Sequence, residues 1–245
     1  MIQKQPAIVL RTVDFKESSS IATLLTPEFG KVAVMVRSVR KPGSKMSGLF
    51  QAGSILETVY YYKEGRSVQN LKEANQLHST YNIRQQMEKM ALATATLEMA
   101  DQLSHENEPA GELYEFMVRL LTWLHQADGV PVHLFPYIQI RLADIMGIGI
   151  QLVETGESGD GHVMFLCVDK GEVTLQQQEG LCLKLQPQQT LYIKLALSNR
   201  RKALLRESFS PPEVRTLIHH LDVYLKHHLD GLRDRKSDYI FNQIL

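Results

Sequence analysis

The residues with the clearest chemical character are Arg37-Ser-Val-Arg-Lys-Pro-Gly-Ser-Lys-Met-Ser-Gly48. No acidic residue lies between Glu28 and Glu57, while Lys31, Arg37, Arg40, Lys41 and Lys45 all fall inside that interval. A loop containing Gly, Ser and Pro lets backbone amides, hydroxyls and cations converge on phosphates, so these five are the candidate nucleic-acid-binding residues. The competing role is a solvated basic loop. The charge is also polarised along the chain: residues 1–75 hold eleven Lys/Arg against six Asp/Glu, a net of +5, and the remainder carries −5, for a formal total of zero. Such asymmetry suggests that one segment meets a polyanion. Phe15, Phe29, Tyr60, Tyr61 and Tyr62 lie in the same region and offer faces for base stacking, with ordinary packing as the alternative for each.

Other chemistries find no support. Gly48 to Gly53 has the four-residue gap of a phosphate-binding loop, but Ser54 follows instead of Lys-Ser/Thr, and nucleotide hydrolysis is rejected. The pairs His219-His220 and His227-His228 sit on one expected helix, where positions eight apart are separated by roughly 12 Å, too far to share an ion. No nucleophile stands with a base, so no catalysis and no cofactor are expected. Cys167 and Cys182 are the only cysteines, too few for a disulfide framework or a four-thiolate metal site. Apolar stretches of about five residues are too short to span a membrane. Without a signal-peptide pattern at the start, the expected location is the cytoplasm.

These residues need a scaffold. Ala7–Val13, Ser20–Thr26, Lys31–Arg37, Ser54–Tyr62 and Val68–Ala74 read as strands, separated by turn signals at Pro27-Glu-Phe-Gly30, Gly43 to Gly53 and Glu64-Gly65. Alternation puts Val32, Val34 and Val36 on one face, and sets Tyr61 opposite Tyr60 and Tyr62. Five strands with one long loop suit a small barrel, of the OB type in preference to the SH3-like type. Beyond Leu77 the period becomes helical, with helices over 80–104, apolar nearly all round and therefore central to a core, and over 109–125 and 131–146. Pro136 either bends the third helix or marks its true first turn. After a polar stretch at 154–162, Val163–Val168 and Glu172–Leu175 form a hairpin, Ser210-Pro-Pro-Glu213 caps a helix ending near Gly231, and a last helix covers about 235–244. The expected class is α+β: an OB-fold domain over 1–78, then a mainly helical domain over 79–245 with a hairpin region inserted at about 154–185.

In this order the parts resemble the RecO family of bacterial recombination mediators. The resemblance rests on Ile8-Val-Leu-Arg11, Ser18-Ser-Ser20, Gly30-Lys31, the basic loop through Lys45, Leu49-Phe-Gln-Ala-Gly-Ser54, Tyr137-Ile-Gln-Ile-Arg-Leu-Ala-Asp-Ile-Met-Gly147 and Arg235-Lys-Ser237. It implies binding to single- and double-stranded DNA, annealing of complementary strands, and, with RecR, loading of RecA onto DNA coated by single-stranded DNA-binding protein. It also implies a site on the helical domain for that protein's acidic-apolar C-terminal tail, for which Arg141 is the candidate cation; its alternative is an ion pair on the helix surface or between domains. Many relatives hold zinc in the inserted hairpin through two Cys-x-x-Cys pairs. Here the position after Cys182 in that spacing is Leu185, and no thiol lies in 154–157, so no structural zinc is expected. Arg200-Arg-Lys202 offers a contact for either ligand, DNA or the tail, with a solvated run as the favoured alternative. Two rivals stand beside this reading, an RNA-binding or translation-associated OB-fold protein and a structural adaptor that binds no nucleic acid.

Overall fold

Three valines at alternating positions, Val32, Val34 and Val36, require a shared interior with their counterparts on neighbouring strands. In the computed structural model, which describes residues 1–41, 43–44, 46–153, 163–198 and 200–244, that interior is a closed barrel. Its strands are β1 (Ile2–Phe15), β2 (Ser19–Thr26), β3 (Gly30–Val36), β4 (Ile55–Tyr61) and β5 (Gln69–His78), in the order β1-β2-β3-β5-β4. Neighbours are antiparallel except β3 and β5, which run parallel where Val34 faces Gln69. This is the expected five-stranded barrel of the OB type.

Strand β1 begins five residues before the alternation that announces it. Its first half pairs with β4, Ile2 opposite Tyr61, and its second half with β2, Phe15 opposite Ser19. The register shifts between Val9 and Arg11, which bends the strand so that it serves both partners. The polar run Gln3-Lys4-Gln5 carries no apolar signal, and only tertiary pairing makes it a strand. The long segment between β3 and β4 is likewise less loose than its composition suggests. Val39 and Phe50 are buried at 6% and 4% exposure within the barrel core, and Met46 and Leu49 pack partly against it.

The barrel belongs to a compact unit of residues 1–130 and 235–238 that also contains a 3₁₀ turn, Tyr81–Gln85, and helices α1 (Met87–Leu103) and α2 (Gly111–Gln126). Helix α1 is buried on most sides, as its composition requires, with Ala91, Leu92, Ala95 and Ala100 at 0% exposure. Lys89 is buried as well; its ammonium donates to the Ala127 carbonyl at the end of α2, where unpaired carbonyls and the helix dipole favour a cation. Ser237 donates from its backbone N–H and its hydroxyl to Glu98 on α1, at 3.0 and 2.7 Å, which ties residues 235–238 to this unit. The connection between α1 and α2 is fastened to the β2–β3 turn: Lys31 N–H donates to His105 O, Asn107 N–H to Phe29 O and Ala110 N–H to Pro27 O, each at 2.9–3.0 Å. Gly30 permits this approach. Its φ is +57°, and a Cβ there would stand 2.2 Å from the Glu108 carbonyl oxygen.

The second unit, residues 131–234 and 239–245, contains α3 (Phe135–Ile145), α4 (Pro187–Leu197), α5 (Arg201–Arg206), α6 (Pro211–His228) and most of α7 (Asp238–Ile244). Its sheet is ordered β6-β8-β7-β9, with β6 (Gln151–Leu152), β7 (Met164–Cys167), β8 (Glu172–Thr174) and β9 (Cys182–Leu185). Pro136 occupies the first turn of α3, which a 3₁₀ turn at Val132–Leu134 precedes, so it marks a start and not a bend. Gln139, fully buried on α3, donates to Ile218 O at 3.2 Å and to Asp222 at 2.7 Å, binding α3 to α6. The Tyr192 hydroxyl accepts the Tyr137 N–H at 3.0 Å and donates to the His133 carbonyl, and burial raises its pKa. Sheet strands β6 and β9 and helices α4 and α5 were not expected. Helix α4 starts at a capping box built from Gln186 and Gln189 instead of the Ser, Thr or Asp that usually marks an N-terminus.

Two outcomes test this packing. Gly30→Ala should cost more than about 2 kcal/mol, read from the urea midpoint, because the left-handed backbone and the Glu108 carbonyl both oppose a methyl group. Gly48→Ala, with nothing within 4 Å, should stay within about 0.5 kcal/mol of wild type. Burial lowers the pKa of His133 against the small opposing effect of the Leu204 carbonyl, and burial and His219 lower that of His220. A depressed imidazole pKa means the unfolded chain takes up protons first. Stability is therefore full above the ordinary value of about 6.5 and is lost as pH falls below it. A double variant, His133→Gln with His220→Gln, should show a flatter dependence of its melting midpoint on pH between about 6.5 and 5.

Candidate nucleic-acid interface

Strand β3 ends at Val36, and the chain turns at once. Ser38 takes a left-handed conformation, φ +56°, and Lys41 N–H closes the turn on Ser38 O at 3.2 Å. Val39 points into the barrel core, so its neighbours are turned toward water. The Arg40 N–H donates to Ser18 O at 3.2 Å and its guanidinium lies 3.3 Å from Asp14 and 3.4 Å from Lys16 O, fixing the turn to the β1–β2 hairpin. Arg37 and Lys41 are exposed, and neither has a side-chain partner among the described residues. Lys16, whose carbonyl neighbours the Arg40 guanidinium, holds its ammonium 5.4 Å from the centre of the Phe15 ring. Lys45 lies outside the described residues.

Lys31 is placed elsewhere. It lies near the start of β3 while Arg37 follows the strand's end, a separation of about 20 Å at roughly 3.3 Å per residue. Its ammonium is 3.2 Å from one Asp101 carboxylate oxygen and also donates to the Asp101 carbonyl, with the side chain only 24% exposed. Arg11 pairs with the same carboxylate at 2.9 Å. Lys31 borders a cavity of about 240 Å³ together with Tyr62, Lys63, Arg66, Glu106 and Asn107. There Gln69 holds the β4–β5 loop, accepting the Lys63 N–H at 2.9 Å and donating to Lys63 O and Arg66 O at 3.1 and 2.8 Å. The structure thus divides the expected cluster into a turn bearing Arg37, Arg40 and Lys41 and a separate pocket bearing Lys31. Sequence reasoning missed Lys16, Lys63 and Arg66. Their charge was counted, but Glu17 and Glu64 beside them hid any run.

The aromatic residues sort by the expected alternation. Tyr60 is fully buried, its pKa pushed up to about 12 by burial, with Tyr62 and Glu28 adding to the rise. Tyr62 packs on Phe29 with ring centres 5.4 Å apart and donates its hydroxyl to Asn107 at 2.9 Å. Tyr61 and Phe15, at 48% and 36% exposure, keep open faces.

In the second unit, Arg141 lies on α3 and forms an ion pair with Asp144 at 2.7 Å. Both border a groove of about 500 Å³ between α3, the start of β6 and α4, whose walls include Ile140, Ile150, Leu152, Ala196, Leu197 and Lys194. A lining of mixed polarity, with Ile140, Ile150 and Leu152 near the cations Arg141 and Lys194, suits a ligand that carries both apolar groups and carboxylates. In the hairpin, strands β7 and β9 bring one thiol each, Leu185 is fully buried, and no three metal-ligating side chains gather among the described residues; residues 154–157 lie outside them. No described helix is long and apolar enough to cross a membrane.

An OB-type barrel with a basic turn, followed by a helical body with a small sheet, defines a class of barrel-and-helix proteins. The family model "Recombination protein O N terminal" matches residues 1–80, and "Recombination protein O C terminal" matches residues 84–238. The chain belongs to the RecO family of DNA repair and recombination proteins. It is similar to the DNA repair protein RecO of Exiguobacterium sp. strain ATCC BAA-1283 / AT1b, with 29% identity over 85% of this chain and 88% of the relative. It is also similar to that of Pelodictyon phaeoclathratiforme, with 24% identity over 100% and 99%. The Salinibacter ruber protein is 33% identical over 60% of this chain and 56% of its own length.

The two groups of cations should behave differently when removed. Lys31→Met leaves Asp101 with a partner missing and should lower stability by about 1–2 kcal/mol in urea unfolding. Arg37→Ala, which breaks no recorded contact, should stay within about 0.5 kcal/mol.

Proposed function

We propose that this chain is a non-enzymatic mediator of DNA repair and homologous recombination. It binds single- and double-stranded DNA, anneals complementary single strands, and helps load RecA onto DNA coated by single-stranded DNA-binding protein, together with RecR. The observation that carries this reading is the fixed turn at residues 37–41, which holds Arg37 and Lys41 exposed and without a carboxylate partner among the described residues. Annealing requires no bond to be made or broken in either strand. Cations that neutralise two phosphate backbones lower their mutual repulsion, and released counterions favour the complex. Stacking on Phe15 and Tyr61 would hold bases with little sequence preference.

The groove beside Arg141 is the proposed seat of the acidic-apolar C-terminal tail of single-stranded DNA-binding protein. Its apolar wall receives the tail's hydrophobic residues, and Arg141 exchanges Asp144 for a tail carboxylate.

Two measurements test these roles. The double variant Arg37→Ala with Lys41→Ala should bind a single-stranded DNA oligomer about tenfold more weakly and anneal complementary strands more slowly, with an unchanged melting midpoint; unchanged DNA binding removes the turn from the site, and tighter binding to a matched RNA oligomer favours an RNA role. For the groove, Arg141→Ala should weaken a tail peptide about tenfold, while Asp144→Asn, which frees the guanidinium, should tighten it. Equal affinities in both variants exclude the groove.

A further inference from the structure

We propose that Cys167 and Cys182 are the two halves of a reversible disulfide that staples β7 to β9 when a low-molecular-weight disulfide reaches Cys182. The strands are antiparallel and pair Cys167 directly with Cys182. The next pair along the ladder is bonded through Val168 N–H to Leu181 O at 2.8 Å. Because bonded and unbonded pairs alternate, the cysteines form an unbonded pair, the kind in which Cα atoms approach to about 4.5 Å and side chains are closest. That spacing lies inside the range a disulfide spans, about 4.4–6.8 Å. The thiols are already turned toward each other, with the two sulfurs in contact. Bond formation needs a small shift of side chains and no change of register.

Exposure sets the order of events. Cys167 is buried at 2% exposure, while Cys182 is only partly covered, so an incoming disulfide meets Cys182 first. Burial, and then the contact with Cys167, raise the Cys182 pKa, which lowers its thiolate fraction and slows its attack on a small disulfide. In the first step the Cys182 thiolate attacks one sulfur of the small disulfide. The S–S bond breaks, one small thiol leaves, and a mixed disulfide remains on Cys182. Cys167 then loses its proton to solvent, attacks the Cys182 sulfur and expels the second small thiol. Two protein thiols are oxidised and one small disulfide is reduced to two thiols.

The staple closes the segment 168–181, which also reaches α6. Asp169 accepts the Leu181 N–H at 2.9 Å and pairs with His227 at 3.1 Å, and His228 lies 2.7 Å from the Val168 carbonyl. Cross-linking a loop of this length restricts the unfolded chain, so oxidation should raise the melting midpoint by roughly 5 °C.

The test treats the full chain with glutathione disulfide, then compares intact mass, non-reducing peptide maps and melting curves before and after dithiothreitol. The expected product is about 2 Da lighter, retains no glutathione, gives a linked Cys167–Cys182 peptide pair, melts higher and reverts on reduction. The variant Cys167→Ser should instead keep one glutathione on Cys182 without the rise in melting, and Cys182→Ser, left with the buried thiol alone, should stay unmodified. The proposal is overturned if the wild-type chain retains glutathione, links only to a second chain, or still shows two titratable thiols after denaturation.

Discussion

A lysine or arginine held by a carboxylate must give up that partner before it can meet a phosphate, and this exchange decides what the basic face of the barrel can do. Lys31 and Arg11 share Asp101, and Arg40 is tied to Asp14, so part of the positive charge is already spoken for. Arg37 and Lys41 stand on a turn whose geometry comes from three fixed points: Ser38 in a left-handed conformation, Val39 buried in the barrel, and the Arg40 N–H on Ser18 O. The rigid parts of the loop neutralise themselves, and the residues between them are left for a ligand.

Much of this was legible in the sequence. Alternation in β3 defined the barrel interior, the near-uniform apolar surface of 80–104 marked a buried helix, and the tyrosine run sorted itself into core and surface as period two demands. What escaped had partners distant in the chain. No local pattern announces that Lys31 faces Asp101, seventy positions later, or that Gln3-Lys4-Gln5 become a strand by pairing with β4. Helix α4 escaped because glutamines cap it, and β9 because four residues bounded by a turn and a proline give almost no periodicity. The long basic segment looked looser than it is because its two anchors, Val39 and Phe50, are single apolar residues in a polar stretch.

The second unit follows a different logic. Its polar ties are buried and internal: Gln139 to α6, Tyr192 to the turn before α3, and Tyr224 to the Ile148 carbonyl at 2.6 Å. Such buried hydrogen bonds fix helix register more than they add stability. They hold the walls of the Arg141 groove without occupying it. In the hairpin this chain has a packed Leu185 and two facing thiols.

The central claim is that cations with no ion-pair partner among the described residues meet a nucleic acid backbone. Its most direct test is the slope of log binding constant against log salt for single-stranded DNA, measured on the intact chain and on the chain lacking the Arg37 and Lys41 side-chain charges. The account predicts that the slope becomes shallower by about 1.4, two phosphate contacts at roughly 0.7 each. A slope that is the same in both proteins, or absent in the intact one, contradicts it.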